Sequence, residues 1–366
     1  MAVHIAVSEL PQLGLEQHEY VDPAYHALEL ERFWRPGWLF VCHESEIGSR
    51  GQFVRYDLDG DSVVVVRGED GAVHALHNVC RHRGSPVVAD ERGLCKGRLV
   101  CPFHGWSYDF DGTVRTTPKM HEGFDRSGWD LKPVWVEVWN GNVFISLAQD
   151  APEPIAERLA GADFSGYDLS RLKVAWERDY VVEANWKIAW EGGLECYHCG
   201  LNHPDLCKVV PIDDYGDQLN AREVAEYDYI PDRPNLPGVE RRRGGRALRR
   251  EDNPATGSTA LQWHLGAFEM FAGVDAVYVA GFKPLGPTTC AIRAITLVHE
   301  DAVAGVDYTE AGFRITEVTR VEDNALVEVV QRGIRSSAYE PGPFNERLEA
   351  ANRVFTHVYR EAMRAD

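Results

Sequence analysis

No run of eighteen apolar residues occurs among the 366 residues, which leaves no segment suited to span a membrane as a helix. Positive charge is also scarce: 38 Lys and Arg stand against 57 Asp and Glu, for a net charge of -19. A surface of that sign repels nucleic acid and anionic lipid, so neither is expected as a partner, and a small protein with a basic docking face is the compatible kind. The opening residues Met1–Leu10 carry neither a basic region nor a cleavage pattern, and a cytoplasmic location is expected. No internal repeat is found. The single basic run, Glu240-Arg-Arg-Arg-Gly-Gly-Arg-Ala-Leu-Arg-Arg250, is followed by Asn253-Pro-Ala-Thr-Gly-Ser258 and reads as a surface loop, with a substrate lid or a docking point as the sharper alternatives. The 10 Trp, 14 Tyr and 14 Phe and a hydrophobic fraction of 44% supply cores for two domains.

What the chain does have is a concentration of metal-type ligands. Cys80-Arg-His82 is followed after eighteen residues by Cys101-Pro-Phe-His104. Each pair offers one thiolate and one imidazole, which is what a 2Fe-2S cluster with Cys on one iron and His on the other requires. Gly84 follows the first pair and Gly105-Trp106 the second, as loops need when their backbone N-H groups must approach cluster sulfurs. Such a cluster is easily reduced, at roughly -150 to +300 mV. Zinc on the same four residues is the alternative, disfavoured because zinc fingers favour Cys-x-x-Cys knuckles and have no need of the paired glycine loops.

A cluster alone moves one electron, and a second ligand set offers that electron a destination. Asn185 to Pro204 reads Asn-Trp-Lys-Ile-Ala-Trp-Glu-Gly-Gly-Leu-Glu-Cys-Tyr-His-Cys-Gly-Leu-Asn-His-Pro. On a regular helix His198 and His203 point about 140° apart, so both reach one metal only if the helix breaks between them, and Gly200 is the expected break. Oxygen-activating iron takes two His and one carboxylate on one face. The segment Ile315–Gly333 has helical periodicity, with apolar residues at 315, 318, 321, 325, 326, 329 and 330, and places Asp323 with Thr319, Leu326 and Val330. Glu322 and Glu328 fall nearer the polar side, which makes Asp323 the expected third ligand. Of the 8 cysteines, those outside the cluster (Cys42, Cys95, Cys196, Cys199, Cys207 and Cys290) are expected to be free, with a zinc knuckle of Cys196, Cys199, His198 and His203 as the minor alternative.

The pattern around these residues divides the chain. Residues 1–37 read as a helical lead-in. Residues 38–150 read as short antiparallel strands turning at Asp59-Gly60, Asp70-Gly71 and Asp111-Gly112, and Asp150-Ala-Pro-Glu-Pro154 reads as a linker. Residues 151–366 mix strands with two metal-bearing helices and a terminal helix from Asn345. The expected class is α+β: a small antiparallel-β domain, then an antiparallel sheet covered by helices. Between the metal motifs, Trp263, His264, Phe268, Phe271 and Tyr278 form an aromatic stretch that serves equally as sheet core, a cage for a methylated ammonium, or a flat aromatic pocket.

The Cys-x-His and Cys-x-x-His-Gly-Trp pair, followed by Asn-Trp-Lys, Glu-Cys-Tyr-His-Cys and a second His-Pro, resembles the large subunit of Rieske non-haem iron oxygenases. Leu297–Tyr308, Glu322–Glu328, Gln331–Gly333 and Pro341–Pro343 are similar to the branch that includes choline monooxygenase and glycine betaine and stachydrine demethylases. The resemblance implies that Cys80, His82, Cys101 and His104 hold the cluster, that His198, His203 and Asp323 hold ferrous iron, and that Glu195 bridges the two sites between subunits of a homotrimer. It further implies oxygen as co-substrate and electrons from NAD(P)H through a separate flavin or iron-sulfur reductase, or a ferredoxin. Hydroxylation or oxidative N-demethylation of a small quaternary amine is the implied reaction; hydroxylation, dihydroxylation or O-demethylation of an aromatic or natural-product substrate is the rival. Gly192-Gly193 departs from the pattern, since relatives usually carry Asn after the glutamate.

Overall fold

The computed structural model describes residues 10–208, 227–228, 247–248, 259–346 and 348–364. The basic segment 240–258 falls outside the described residues apart from 247 and 248. Two compact units divide the chain: Arg35–Ile155, and Met1–Trp34 together with Ala156–Asp366. The helical lead-in thus belongs with the larger unit up to Trp34.

The smaller unit is built of antiparallel strands. β1 (Leu39–His43), β10 (Asn142–Ser146) and β9 (Trp135–Trp139) make one sheet in the order β1-β10-β9. A second sheet runs β4 (Val73–His77), β3 (Asp61–Arg67), β2 (Gln52–Leu58), β5 (Arg92–Leu94), and a third runs β6 (Leu99–Val100), β7 (Ser107–Tyr108), β8 (Val114–Thr116). The two-residue Asp59-Gly60 turn joins β2 to β3 with both residues at positive φ, 40° and 85°, which matches the right-handed twist of the strands it connects. Phe53, Val64, Leu76, Leu99, Trp106 and Phe110 form a core that also takes in Cys80 and Cys101.

In the larger unit one antiparallel sheet carries the order β11 (Leu172–Val182), β16 (Thr289–His299), β15 (Val277–Gly286), β14 (Phe268–Ala272), β13 (Thr259–Trp263), β12 (Tyr227–Asp228). The helices described are α1 (Gln17–Val21), α2 (Pro23–Glu29), α3 (Ile155–Arg158), α4 (Trp186–Gly193), α5 (Cys199–Asn202), α6 (Arg314–Ile334) and α7 (Ala350–Arg364). The α+β expectation holds. The terminal helix starts at Ala350, five residues after the expected Asn345.

The Asn-Trp-Lys motif seats α4, the helix on which the site depends. Asn185 caps it by accepting from Lys187 N at 2.9 Å, and its amide donates to Tyr20 O at 3.1 Å and Pro287 O at 2.8 Å. Trp186 is fully buried, 5.1 Å from the Phe33 ring, 4.8 Å from Trp34 and 5.9 Å from Phe355 and Tyr359. Lys187, with no exposed side chain, pairs with the equally buried Glu29 at 2.5 Å, and Tyr359 donates to the same carboxylate.

The helix α6 corrects the periodicity reading in one respect. Val321, Val329 and Val330 are exposed, and the buried stripe is Ile315, Arg320, Val327, Gln331 and Ile334. Two polar residues on that stripe make hydrogen bonds inside the fold, which an apolar count does not register.

Candidate active site

The two Cys/His loops of the smaller unit have the same backbone. Gly84 N-H donates to Cys80 O at 2.9 Å and Gly105 N-H to Cys101 O at 3.1 Å, with the two glycines at φ 75° and 71°. Those left-handed positions are where glycine carries no Cβ penalty. Cys80 and Cys101 are both buried and free. The His82 and His104 rings lie 4.7 Å apart, and Trp106 stacks on His82 at 5.1 Å. Tyr108 Oη lies 3.3 Å from Cys80 Sγ and accepts from Arg81 N at 3.1 Å. His82 Nδ1 is buried with no protein partner among the described residues. Two buried thiols together with an imidazole nitrogen that is buried without a protein partner and a second imidazole ring fit the donor set of a 2Fe-2S cluster with Cys on one iron and His on the other.

In the larger unit α4 ends at Gly193 and a non-helical stretch carries the chain to His198, the residue before α5. His203 closes α5 at φ -118°, ψ 67°, directly before Pro204. The break that lets both imidazoles converge is therefore at His203, on the Pro204 boundary; Gly200 sits inside α5, contrary to the expectation above. Proline at 204 cannot follow a residue in helical conformation easily, so His203 leaves the helix and swings back.

The convergence is tight. His198 Nε2 and His203 Nε2 are 3.1 Å apart, and Asp323 Oδ1 lies 3.2 Å from the first and 2.8 Å from the second. Three donors meeting a metal at about 2.1 Å and right angles stand about 3.0 Å from each other. The donor set fits a facially bound iron. Each imidazole is held from behind: His198 Nδ1 lies 2.5 Å from Glu195 Oε1, and His203 Nδ1 lies 2.7 Å from Glu322 Oε2. A carboxylate on each Nδ1-H fixes the tautomer that leaves Nε2 as a lone pair. Glu195 is itself held by the backbone N-H of Tyr197 and, at 3.3 Å, of His198. Burial works against a charge on Asp323, but the bonds from His198 and His203 prevail and hold its pKa below the usual 3.8.

Glu322 is a site residue that the polar-side assignment missed. So are Arg320 and Glu269, which with Gly192, Gly193, Phe271, Tyr278 and Thr319 line a cavity of about 190 Å³ beside the three donors. That is below the ~300–1,000 Å³ of pockets for drug-sized ligands. Strand alternation explains the lining. In β14 Phe268 and Met270 face the core, while Glu269 and Phe271 face the cavity, and Tyr278 is the register partner of Phe271.

The aromatic stretch accordingly splits. Trp263, His264 and Phe268 are buried in the core, with Trp190 Nε1 donating to His264 Nδ1 at 3.3 Å and burial lowering the His264 pKa to about 3. Phe271 and Tyr278 reach the cavity. Cys196 and Cys199 are joined by a disulfide, so the expectation that both are free is corrected. The zinc knuckle fails with it, because disulfide sulfurs are not thiolate ligands.

Comparison with known proteins agrees with this geometry. The Rieske 2Fe-2S domain family matches residues 37–139, and the ring hydroxylating alpha subunit (catalytic domain) family matches residues 169–365. The glycine betaine monooxygenase oxygenase subunit of Chromohalobacter salexigens is 35% identical over 384 aligned residues, covering 96% of this chain and 86% of that protein. A quaternary ammonium Rieske monooxygenase solved with L-carnitine shares the fold at TM-score 0.71 and 22% identity, covering 96% of both chains. Naphthalene 1,2-dioxygenase from Rhodococcus sp., solved with indole, shares it at TM-score 0.75 and 20% identity, covering 96% of this chain and 94% of that one. One fold thus hosts different chemistries, and the fold by itself does not choose among substrates. On the extent of the family matches and the identity to these relatives, the chain belongs to the Rieske non-haem iron oxygenases, enzymes that join a 2Fe-2S cluster to a mononuclear catalytic iron.

Proposed function

We propose that this oxygenase oxidatively N-demethylates a small quaternary ammonium compound. In this reading Cys80, His82, Cys101 and His104 hold the cluster, and His198, His203 and Asp323 hold the iron. The observation that carries it is the approach of three donor atoms to within 2.8–3.2 Å of each other at the edge of a small cavity lined by Phe271 and Tyr278. Aromatic faces attract methylated ammonium groups. The similarity to glycine betaine monooxygenase subunits points the same way.

The iron, when bound and supplied with electrons, activates oxygen for insertion into a C-H bond. The chain's own residues do the rest. Glu195 and Glu322 orient the two imidazoles, and Phe271 and Tyr278 give the reacting carbon an aromatic surface to lie against. A hydroxylated N-methyl carbon on a quaternary nitrogen is an N-hydroxymethyl ammonium; its hydroxyl gives up a proton as the C-N bond breaks, leaving formaldehyde and the tertiary amine. Electrons come from NAD(P)H through a separate reductase carrying flavin or iron-sulfur centres, and Glu195 links the iron site to the cluster of a neighbouring subunit in a homotrimer. The domain division at about residue 150 and a cytoplasmic location belong to the same proposal.

Formaldehyde release by the iron-loaded protein with a surrogate reductase, across betaines, choline-like amines and methoxy-aromatics, tests it. Release from one quaternary amine is expected. Oxygen uptake with a substrate but no formaldehyde from any of them would replace demethylation by C-hydroxylation.

A further inference from the structure

The cavity holds a charged pair that metal binding does not use. Arg320 lies one turn before Asp323 on α6, about 4.5 Å along the helix axis. Its side chain is 9% exposed and that of Glu269 is 4% exposed. Nη2 donates to Glu269 Oε1 at 2.7 Å and to Tyr278 Oη at 3.3 Å, and the Phe282 ring lies 5.4 Å from Cζ. A guanidinium carries five N-H donors in a rigid fork. Among the described residues, none accepts from Nε or Nη1.

Gly193 keeps that edge open. A Cβ added there would stand 4.0 Å from Arg320 Nη1 and 4.0 Å from Glu269 Oε2, so any longer side chain would cover the pair. The pair lines the cavity beside the three donors. A guanidinium in that position repels a substrate that is only a cation, and its Nη1 offers a charge-assisted N-H donor to one that also carries a carboxylate.

We propose that Arg320, positioned by Glu269 and Tyr278, binds the carboxylate of a zwitterionic substrate, so that the site takes amino-acid betaines in preference to quaternary amines lacking a carboxylate. The inference rests on the N-demethylase reading above and narrows its substrate class. The carboxylate docks on the Nη1 edge under Gly193, the methylated nitrogen lies against Phe271 and Tyr278, and one N-methyl carbon faces the three metal donors.

The test is anaerobic calorimetry of the iron-loaded protein with glycine betaine and with choline, repeated on Arg320→Gln/Glu269→Gln and on Arg320→Lys. The double variant removes both charges and so leaves neither buried alone, and Arg320→Lys keeps the pair neutral while losing the fork. The wild type is expected to prefer glycine betaine by about ten-fold or more, as one charge-assisted hydrogen bond supplies. The double variant should lose that preference and Arg320→Lys should reduce it. Equal binding of the two ligands by the wild type, or an undiminished preference in the double variant, overturns the proposal. Formaldehyde measured on the same samples separates the two readings: a carboxylate preference without demethylation overturns the N-demethylase reading alone, and demethylation without the preference overturns the carboxylate subsite alone. Binding of neither ligand overturns both.

Discussion

Glu322 gives the sharpest test of how the iron site is held. Its Oε2 lies 2.7 Å from His203 Nδ1, while His203 Nε2 points at Asp323 and His198. Removing the carboxylate leaves the ring free to rotate and lowers the basicity of Nε2. His203 is only 1% exposed while Glu322 is 35% exposed, so it is this carboxylate that stands between the ring and solvent. Supporting groups of this kind contribute 10–100-fold to metal affinity, or about 1.4–2.7 kcal/mol. Glu322→Ala should therefore weaken Fe(II) binding by that factor. Glu322→Gln, which still accepts through its amide oxygen but carries no charge, should fall between it and the wild type. The assay is titration with Fe(II) against a competing chelator, with cluster absorbance confirming that the smaller unit is intact. Glu361→Gln, on the exposed face of α7, serves as the control for charge alone. Affinity for iron unchanged in Glu322→Ala would refute the idea that this carboxylate orients His203.

Lys187→Met should destabilise the larger unit by about 3–5 kcal/mol, since it strands a fully buried Glu29, and lower Tm by roughly 6–20 °C; Lys187→Met/Glu29→Leu should recover most of this in scanning calorimetry. Burial opposes the Glu29 carboxylate, but Lys187 outweighs it and depresses its pKa below 4.5, so the pair's contribution is complete above that pH and is lost as pH falls through the depressed value. Acid unfolding followed by circular dichroism should lose this pH step in the double variant. Tyr108→Phe removes a hydroxyl 3.3 Å from Cys80 Sγ and should lower the cluster potential by about 40 mV, the one-electron equivalent of a hydrogen bond worth about 1 kcal/mol, in a redox titration. Gly112→Ala should destabilise more than Gly84→Ala in urea: both glycines have positive φ, but a Cβ at 112 would come 2.8 Å from Leu76 Cδ2, whereas at 84 it meets nothing within 4 Å.

The Cys/His motifs were legible because each pair is local: two residues apart in one loop, three in the other, and five in the run that ends at Pro204. The existence of α6 also followed from periodicity, but its buried stripe did not, since Val330, grouped with Asp323 by phase, is exposed. Glu269 and Arg320 were not found, although a signal was present. Glu269 interrupts the apolar run Phe268-Glu-Met-Phe271, and a carboxylate inside a strand core must have a partner. What sequence does not supply is the partner, because Arg320 is 51 residues away and arrives by tertiary packing. The same limit hid Glu322. Helical phase places it beside Asp323, but only the turn back of the chain at Pro204 brings His203 to it. The break was assigned to Gly200 on propensity, and the chain instead leaves the helix at His203, directly before Pro204. Pairing of Cys196 with Cys199 was likewise set aside on grounds of compartment rather than geometry.

The contact of Lys187 with Glu29 and Tyr359 bears on synthesis. Its three members stand 158 and 172 residues apart along the chain, and Trp186 beside it rests on Phe355 as well. During translation the segment bearing His198 and His203 emerges long before the helix that supports its neighbouring α4. Until that helix is released from the ribosome, a buried lysine lacks part of its shell and α4 lacks a wall. The unit Arg35–Ile155, by contrast, has its core contained in one continuous segment that is finished first.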